Sequence, residues 1–376
     1  MDFSYSEEQT LLRNSVAKYL ADNYTFETFR KVTRTDPGWR PECWQKFAEL
    51  GLLAAPLPEA YGGLGGGPVD TMIVMEEFGR ALVVEPYAQT VVVGGAVLRL
   101  GGSEAQKQEW LPKISEGHAV FAFAFAEPQG RYNFADLKTT AKKQGDAYVL
   151  NGQKAVVLGA PWADTLIVTA RTAGGQRDEK GVSVFLVDKK AKGISTRDYP
   201  TIDGLRASEI SFDNVEVPAA SLIGALDDGL KLVEHATDEA IAAHCAEAVG
   251  AMKVLLDTTV EYSKTRKQFG VPIGKFQVLQ HRMVDMFMNY EQSASMALMV
   301  TLKLGESDVE RKKAASAAKV QIGKAGRFVG QSAVQIHGGM GMTDELNVGH
   351  YFKRLTMIDT LYGNTDHHLK RYAALS

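Results

Sequence analysis

Only two cysteines occur in 376 residues, Cys43 and Cys245. One pair cannot build a disulfide framework, and such sparse use fits a reducing compartment. Long apolar runs are missing too; none approaches the roughly 20 residues that a membrane span needs. The opening, MDFSYSEEQT, is polar and acidic and lacks the character of an export or organelle leader. A cytoplasmic location is the expectation. Positive charge is not in excess, the net charge being −3, which argues against a nucleic-acid-binding face. No nucleophile elbow and no convergent Cys/His cluster occur. What is present, 45% hydrophobic and 23% charged residues, describes an ordinary globular protein with enough chain for two or three cored domains.

The order of patterns is helix, strand, helix. Residues 1–118 read as helical. Ser6, followed by Glu7 and Glu8, can open a first helix, since a hydroxyl caps orphan N–H groups and acids suit the positive helix end. Leu11, Leu12, Val16 and Leu20 then recur at near-helical spacing. Tyr61–Pro68 (YGGLGGGP) is a surface turn rather than a phosphate loop, because no apolar strand leads into it and no Lys-Ser/Thr follows. Residues 119–225 hold short β-rich runs, AVFAFAFAEP, AYVLNGQKAVVLGA, DTLIVTART and VSVFLVDKK, which predict a small antiparallel domain. Asn151-Gly152 reads as its hairpin turn. Residues 226–376 return to helix, with Leu230, Val233, Ala236, Ala240 and Ala243–His244 marking one face. The charged stretch Gly305–Lys313 is a solvated loop or helix end. The sum is an α+β fold.

Two C-terminal stretches carry chemistry. Residues 266–277 read RKQFGVPIGKFQ, with Arg266, Phe269 and Gln277; residues 335–345 read QIHGGMGMTDE, with Gln335, Gly338, Gly339, Gly341, Thr343 and Glu345. Guanidinium offers a planar fork of donors to phosphate oxygens. Amides add donors, and glycines let a backbone approach a ligand closely. Either stretch alone is commonplace. Together they resemble the flavin-contacting segments of the acyl-CoA dehydrogenase family. LGLLAAPLPEAYGGLGGG, EEFGRA and GDAYVLNGQK with VTART resemble further segments of it, so the likeness covers essentially the whole chain. It implies an N-terminal helical domain, a middle antiparallel β-domain and a C-terminal four-helix bundle. It also implies FAD, an acyl-CoA substrate, electron-transfer flavoprotein as acceptor, and dimers or tetramers in which Arg266, Phe269, Gln277, Gln335, Gly338 and Gly339 reach the neighbouring subunit's flavin.

Other family positions are changed. The family's tail ends Glu-Gly-Thr-x-Glu, the first Glu being the base that removes the α-proton; here Tyr362, Gly363 and Asn364 stand in its place. A minority of members carry the base two residues after an Asp on the first long C-terminal helix. Here Asp238 is followed by Glu239 and then Ala240, and Glu239 should point elsewhere, to the surface. The family's Thr-Glu-Pro is Ala126-Glu127-Pro128, and its ring-covering Trp-Ile-Thr/Ser-Asn is Val156-Val157-Leu158-Gly159. Gly130-Arg131-Tyr132 replaces Gly-Ser-Asp, leaving Arg131 open between phosphate binding and solvent. Glu247, two turns beyond Ala240, with His244 between, is either a relocated acid–base pair or a pair buried at a helix interface. Tyr362 is a poor base near neutral pH, and His367-His368 point apart on a helix, which does not make a metal site.

The losses fall on contacts to a subunit's own flavin, while contacts across an interface are kept. Such a chain resembles the companion subunit of heteromeric acyl-CoA dehydrogenases acting on steroid-derived or dicarboxylic thioesters, in which a Glu-bearing subunit houses FAD. Cys245–Gly250 (CAEAVG) and the Gly-x-x-Asp-His-His-Leu tail share that likeness. An active homomer based on Glu247, or a non-enzymatic acyl-CoA-binding scaffold, are the alternatives.

Overall fold

The structure, a computed structural model, describes residues 4–375. Six α-helices come first among the described residues: α1 (Glu7–Asn23), α2 (Phe26–Arg34), α3 (Pro41–Glu49), α4 (Pro68–Ala81), α5 (Gly95–Gly101) and α6 (Glu104–Ser115). Ser6 does cap α1. Its Oγ accepts from Gln9 N and its own N–H donates to Gln9 Oε1, both at 3.1 Å, which satisfies two orphan donors reciprocally. Ser103 and Gln106 repeat the device on α6. Val16 and Leu20 are buried on α1, whereas Leu11 is 68% exposed and outside the stripe.

The strands are β1 (Phe121–Ala124), β2 (Thr140–Gln144), β3 (Ala147–Leu158), β4 (Thr165–Arg171), β5 (Val182–Asp188), β6 (Ile194–Pro200), β7 (Arg206–Pro218) and β8 (Leu222–Ile223). They form one sheet in the order β6-β7-β3-β2-β4-β5-β8, with β1 also pairing β4. Pairing is antiparallel as expected, except that β1 and one β2 residue run parallel to β4. Leu150, Val157, Leu166, Val168, Phe185 and Ile210 are among its buried core.

Asn151-Gly152 is not the hairpin turn that the sequence suggests. The β2–β3 turn is at Gly145-Asp146, and β3 runs straight through Asn151-Gly152 with a register shift against β7. The glycine is needed for closeness, not for reversal: a Cβ on Gly152 would lie 2.5 Å from Thr139 Cα. Asn151 Oδ1 accepts from Asn214 N at 2.9 Å, pinning the bulge.

The remaining elements are α7 (Leu230–Thr265), β9 (Lys267–Gln268), β10 (Val271–Pro272), α8 (Gln277–Lys303), α9 (Asp308–His337), α10 (Val348–Thr360) and α11 (Thr365–Ala374). Residues 304–307 turn α8 back along α9, and Gln321 donates to Gln292 midway between them. That register sets Gln277, at the start of α8, level with Gln335, at the end of α9. Two compact units result. One holds the residues up to Lys31, Pro68–Val83 and the chain from Ile241 onward; the other holds Val32–Gly67 and Val84–Ala240. Among the described residues no helix is long and apolar enough to cross a membrane.

Candidate functional site

The retained segments lie at one end of the α8–α9 pair. Beyond α7, β9 and β10 form a two-stranded hairpin whose tip carries Phe269, 92% exposed with φ +52°. Arg266, Gln277, Gln335, Gly338 and Gly339 are all exposed. A Cβ on Gly338 or Gly339 would meet nothing within 4 Å. The structure thus brings a guanidinium, two amides and an open glycine ledge to one solvent-facing end. This donor set suits an anionic, planar cofactor such as FAD.

The tail is different. Tyr362 is buried, with φ +56°, and its ring lies on that of His244 with centroids 6.0 Å apart. Burial pushes its phenol above the ordinary value, although the Arg354 charge works against this. The turn that holds it is tightly fixed. Lys319 Nζ donates to Ile358 O at 2.5 Å and Asp359 O at 3.0 Å, capping the end of α10. Asn364 Oδ1 accepts from His367 N at 3.0 Å and opens α11.

Glu247 is buried within the bundle. His244 Nδ1 lies 2.8 Å from its Oε2. Arg354 of α10 grips both oxygens, Nε on Oε1 at 2.6 Å and Nη2 on Oε2 at 2.8 Å. Burial alone would raise this carboxyl. The Arg354 charge and the hydrogen bonds from His244 and Arg354 outweigh it and hold the group down at about 2. His244 is pushed below the ordinary imidazole value by burial, despite its carboxylate partner. α4 crosses closely here: a Cβ on Gly79 would lie 1.9 Å from Glu247 O. Such bidentate, charge-assisted geometry anchors helices firmly.

Asp238 and Ala240 are buried. Glu239 is not on the surface as expected; it is mostly covered and accepts from Arg99 Nη2 at 2.5 Å, with His235 at 3.5 Å. An arginine within reach draws a helix-borne acid inward.

On the β-domain strand, Val156 is half-exposed with φ +52° and presents an apolar side chain. Ala126 O accepts from Ala155 N at 2.8 Å. Glu127 is committed elsewhere: it takes Lys154 Nζ at 2.8 Å, Lys138 N at 2.7 Å and Thr139 N at 3.1 Å. Ala126 and Val156–Gly159 carry no side-chain hydrogen-bond donor. Arg131 is exposed with φ +47°. His367 and His368 sit edge to face, and the described residues contain no group of three or more potential metal ligands.

Sequence reasoning missed Arg354 and Lys319. Arg354 had a readable signal, since it falls on the α10 stripe of Tyr351, Leu355 and Ile358. A cation on an apolar face demands a buried partner. Lys319 had only a weak one, its place among the alanines of α9.

Family models for the acyl-CoA dehydrogenase N-terminal, middle and C-terminal domains match residues 6–118, 122–215 and 227–374. The chain is 32% identical over 371 residues to a probable acyl-CoA dehydrogenase, YngJ, of Bacillus subtilis (strain 168), covering 97% of each. It is 25% identical to a chain of the ChsE4–ChsE5 complex from Mycobacterium tuberculosis, with a TM-score of 0.90 over 100% of this chain and 98% of that one. A variant of the Tcur3481–Tcur3483 steroid ACAD is 28% identical, with a TM-score of 0.87 over 98% and 97%. With all three domain types matched in order, the chain belongs to the acyl-CoA dehydrogenase family, the FAD-dependent oxidoreductases that act on CH–CH bonds of acyl-CoA thioesters.

Proposed function

We propose that this chain is a subunit of a heteromeric acyl-CoA dehydrogenase and completes the FAD site of a related, Glu-bearing subunit. One observation carries the reading. A buried, neutral tyrosine, Tyr362, stands where the family places its base, while the clamp from Arg266 to Gly339 is kept intact and faces solvent. Dehydrogenation begins by removing a proton beside the thioester carbonyl, which needs a group that accepts one near neutral pH. Tyr362 holds its proton. Glu247 is held far too acidic by Arg354 and has both oxygens engaged, which favours the anchoring reading over a relocated base.

When bound, FAD supplies the two-electron acceptor. Arg266 would face its pyrophosphate oxygens, with Gln277 and Gln335 as further donors and the Gly338–Gly339 backbone lying close to it. Phe269 would cover apolar surface across the interface. The base and the ring-side donors belong to the other subunit. The two-protein names of the ChsE4–ChsE5 and Tcur3481–Tcur3483 relatives support such an assembly. The second supports a bulky, steroid-derived acyl group over a short dicarboxylic one, and electron-transfer flavoprotein is the proposed acceptor.

Flavin content is the test. The tagged chain alone should purify nearly colourless. Co-expressed with a Glu-bearing acyl-CoA dehydrogenase subunit, it should return as a yellow complex bleached by acyl-CoA. Stoichiometric flavin and substrate bleaching in the lone chain would refute the reading. Tight acyl-CoA binding without flavin beside any such subunit would make the chain a carrier instead.

A further inference from the structure

The clamp has two arms from distant parts of the sequence. One runs from the end of α7 through the β9–β10 hairpin to Gln277. The other is the end of α9 with the Gly338–Met342 turn. A pair of rings joins them: Tyr262 of α7 lies on His337 of α9, with centroids 4.2 Å apart and planes 27° apart.

Each ring is tied to its own arm. Tyr262 O accepts from Arg266 N at 2.9 Å, and Arg266 O accepts from Ile273 N at 2.8 Å. His337 immediately precedes Gly338. Its Nδ1 lies 2.8 Å from Ala333 O; a carbonyl only accepts, so Nδ1 carries the proton and the ring is locked to the last turn of α9. Its Nε2 is buried without a hydrogen-bond partner, and its ring face packs on Tyr262. The glycine ledge has no lateral support of its own. It is held by what flanks it: His337 before it, and after it Gly341, whose added Cβ would lie 2.9 Å from Val334 O.

We infer that Tyr262 and His337 are positioning residues whose stack sets the spacing between Arg266 and the Gln335–Gly339 donors, and thereby the grip of this chain on a flavin nucleotide. The inference rests on the clamp reading above. Neither residue need touch the flavin. Directed donors lose binding steeply when displaced by about an ångström; α8 packs along α9 further down, and the stacked pair is the aromatic contact that ties the arms together at the clamp end.

The experiment measures the rate of FAD release from the yellow complex on dilution, by the rise in flavin fluorescence. Tyr262→Ala and His337→Ala should each speed release about tenfold, roughly the worth of a packed aromatic pair and its lost register. The double variant should be no worse than the singles, since both remove one contact. Tyr262→Phe, which keeps the ring face and leaves the His337 lock in place, should stay within about twofold of wild type. Arg266→Ala tests the parent reading separately: unchanged release there refutes the clamp itself. Faster release in Arg266→Ala with wild-type release in the alanine variants refutes only the positioning role. So does a Tyr262→Phe variant as loose as Tyr262→Ala. Should the alanine variants not fold, Tyr262→Leu, which keeps apolar bulk without a ring face, is read in their place with the same expectation.

Discussion

Glu247→Gln removes a charge while nearly keeping a shape. The guanidinium of Arg354 would remain buried against an amide with one acceptor oxygen where it now grips two. Breaking a buried ion pair by removing one partner costs about 3–5 kcal/mol. The depressed carboxyl points to the same order of magnitude. It is held at about 2 against an ordinary value of 4.5, and each pK unit corresponds to about 1.4 kcal/mol, giving about 3 kcal/mol. The group is fully buried, so solvent screening does not reduce this. The urea midpoint at neutral pH should fall accordingly, with unchanged slope. The sign of the pH dependence follows from the depressed value. The contribution is complete above about 4.5, the ordinary value, and is lost as pH falls towards 2. Wild type and variant should therefore converge in acid. Replacing both partners by apolar residues, Glu247→Leu with Arg354→Met, should recover much of the loss. A variant within about 0.5 kcal/mol of wild type at neutral pH refutes the anchoring argument. One that keeps full stability and FAD but no longer lets acyl-CoA bleach the flavin would make Glu247 the base after all.

Two further expectations follow from burial and close approach. His244, His337 and His368 all lie below the ordinary imidazole value through burial, His368 at about 2 with the Lys319 charge adding to the effect. The unfolded chain binds protons at these sites more readily below about 6.5 than the folded chain does, so stability should be flat above that pH and fall below it. A thermal midpoint unchanged between pH 7 and 5 would contradict this. Gly152→Ala should cost about 1–3 kcal/mol in urea unfolding, because its Cβ would meet Thr139 at 2.5 Å; a neutral result would mean that the bulge yields.

Much of the fold could be read from the sequence because local rules and tertiary packing agree in it. Ser6 and Gln9 form their capping box, and the β-rich runs between Phe121 and Ile223 are strands. The failures have physical causes. Asn151-Gly152 satisfies the hairpin rule, but the same glycine also serves a close backbone approach, and Thr139 decides which use prevails. Glu239 looked like a surface acid because Arg99, its partner, is 140 residues away in sequence. The Glu247–Arg354 pair spans 107 residues, so sequence offered both of its charges without the link between them. Exposure of the clamp was beyond periodicity altogether, since nothing in RKQFGVPIGKFQ states that Phe269 lies almost wholly in solvent.

Placing an acid at Tyr362, where the resemblance implies a base, should not by itself restore catalysis. Tyr362→Glu would place a carboxylate in a position that burial makes basic and that the Arg354 charge makes acidic, as the same two influences act on the phenol now. Arg354 is already shared by both oxygens of Glu247. A second carboxylate would either compete for it, losing basicity, or stay protonated without it, losing stability. The positions that the resemblance gives to the flavin ring would also stay unchanged. Val156, Leu158 and Gly159 offer no side-chain donor to a flavin, and Ala126 has no hydroxyl. The lone Tyr362→Glu chain is therefore expected to remain without bound flavin and without acyl-CoA-dependent bleaching in stopped-flow absorbance. If it turns yellow and bleaches, the missing acid was the only defect, and the division of labour between two subunits loses its physical basis.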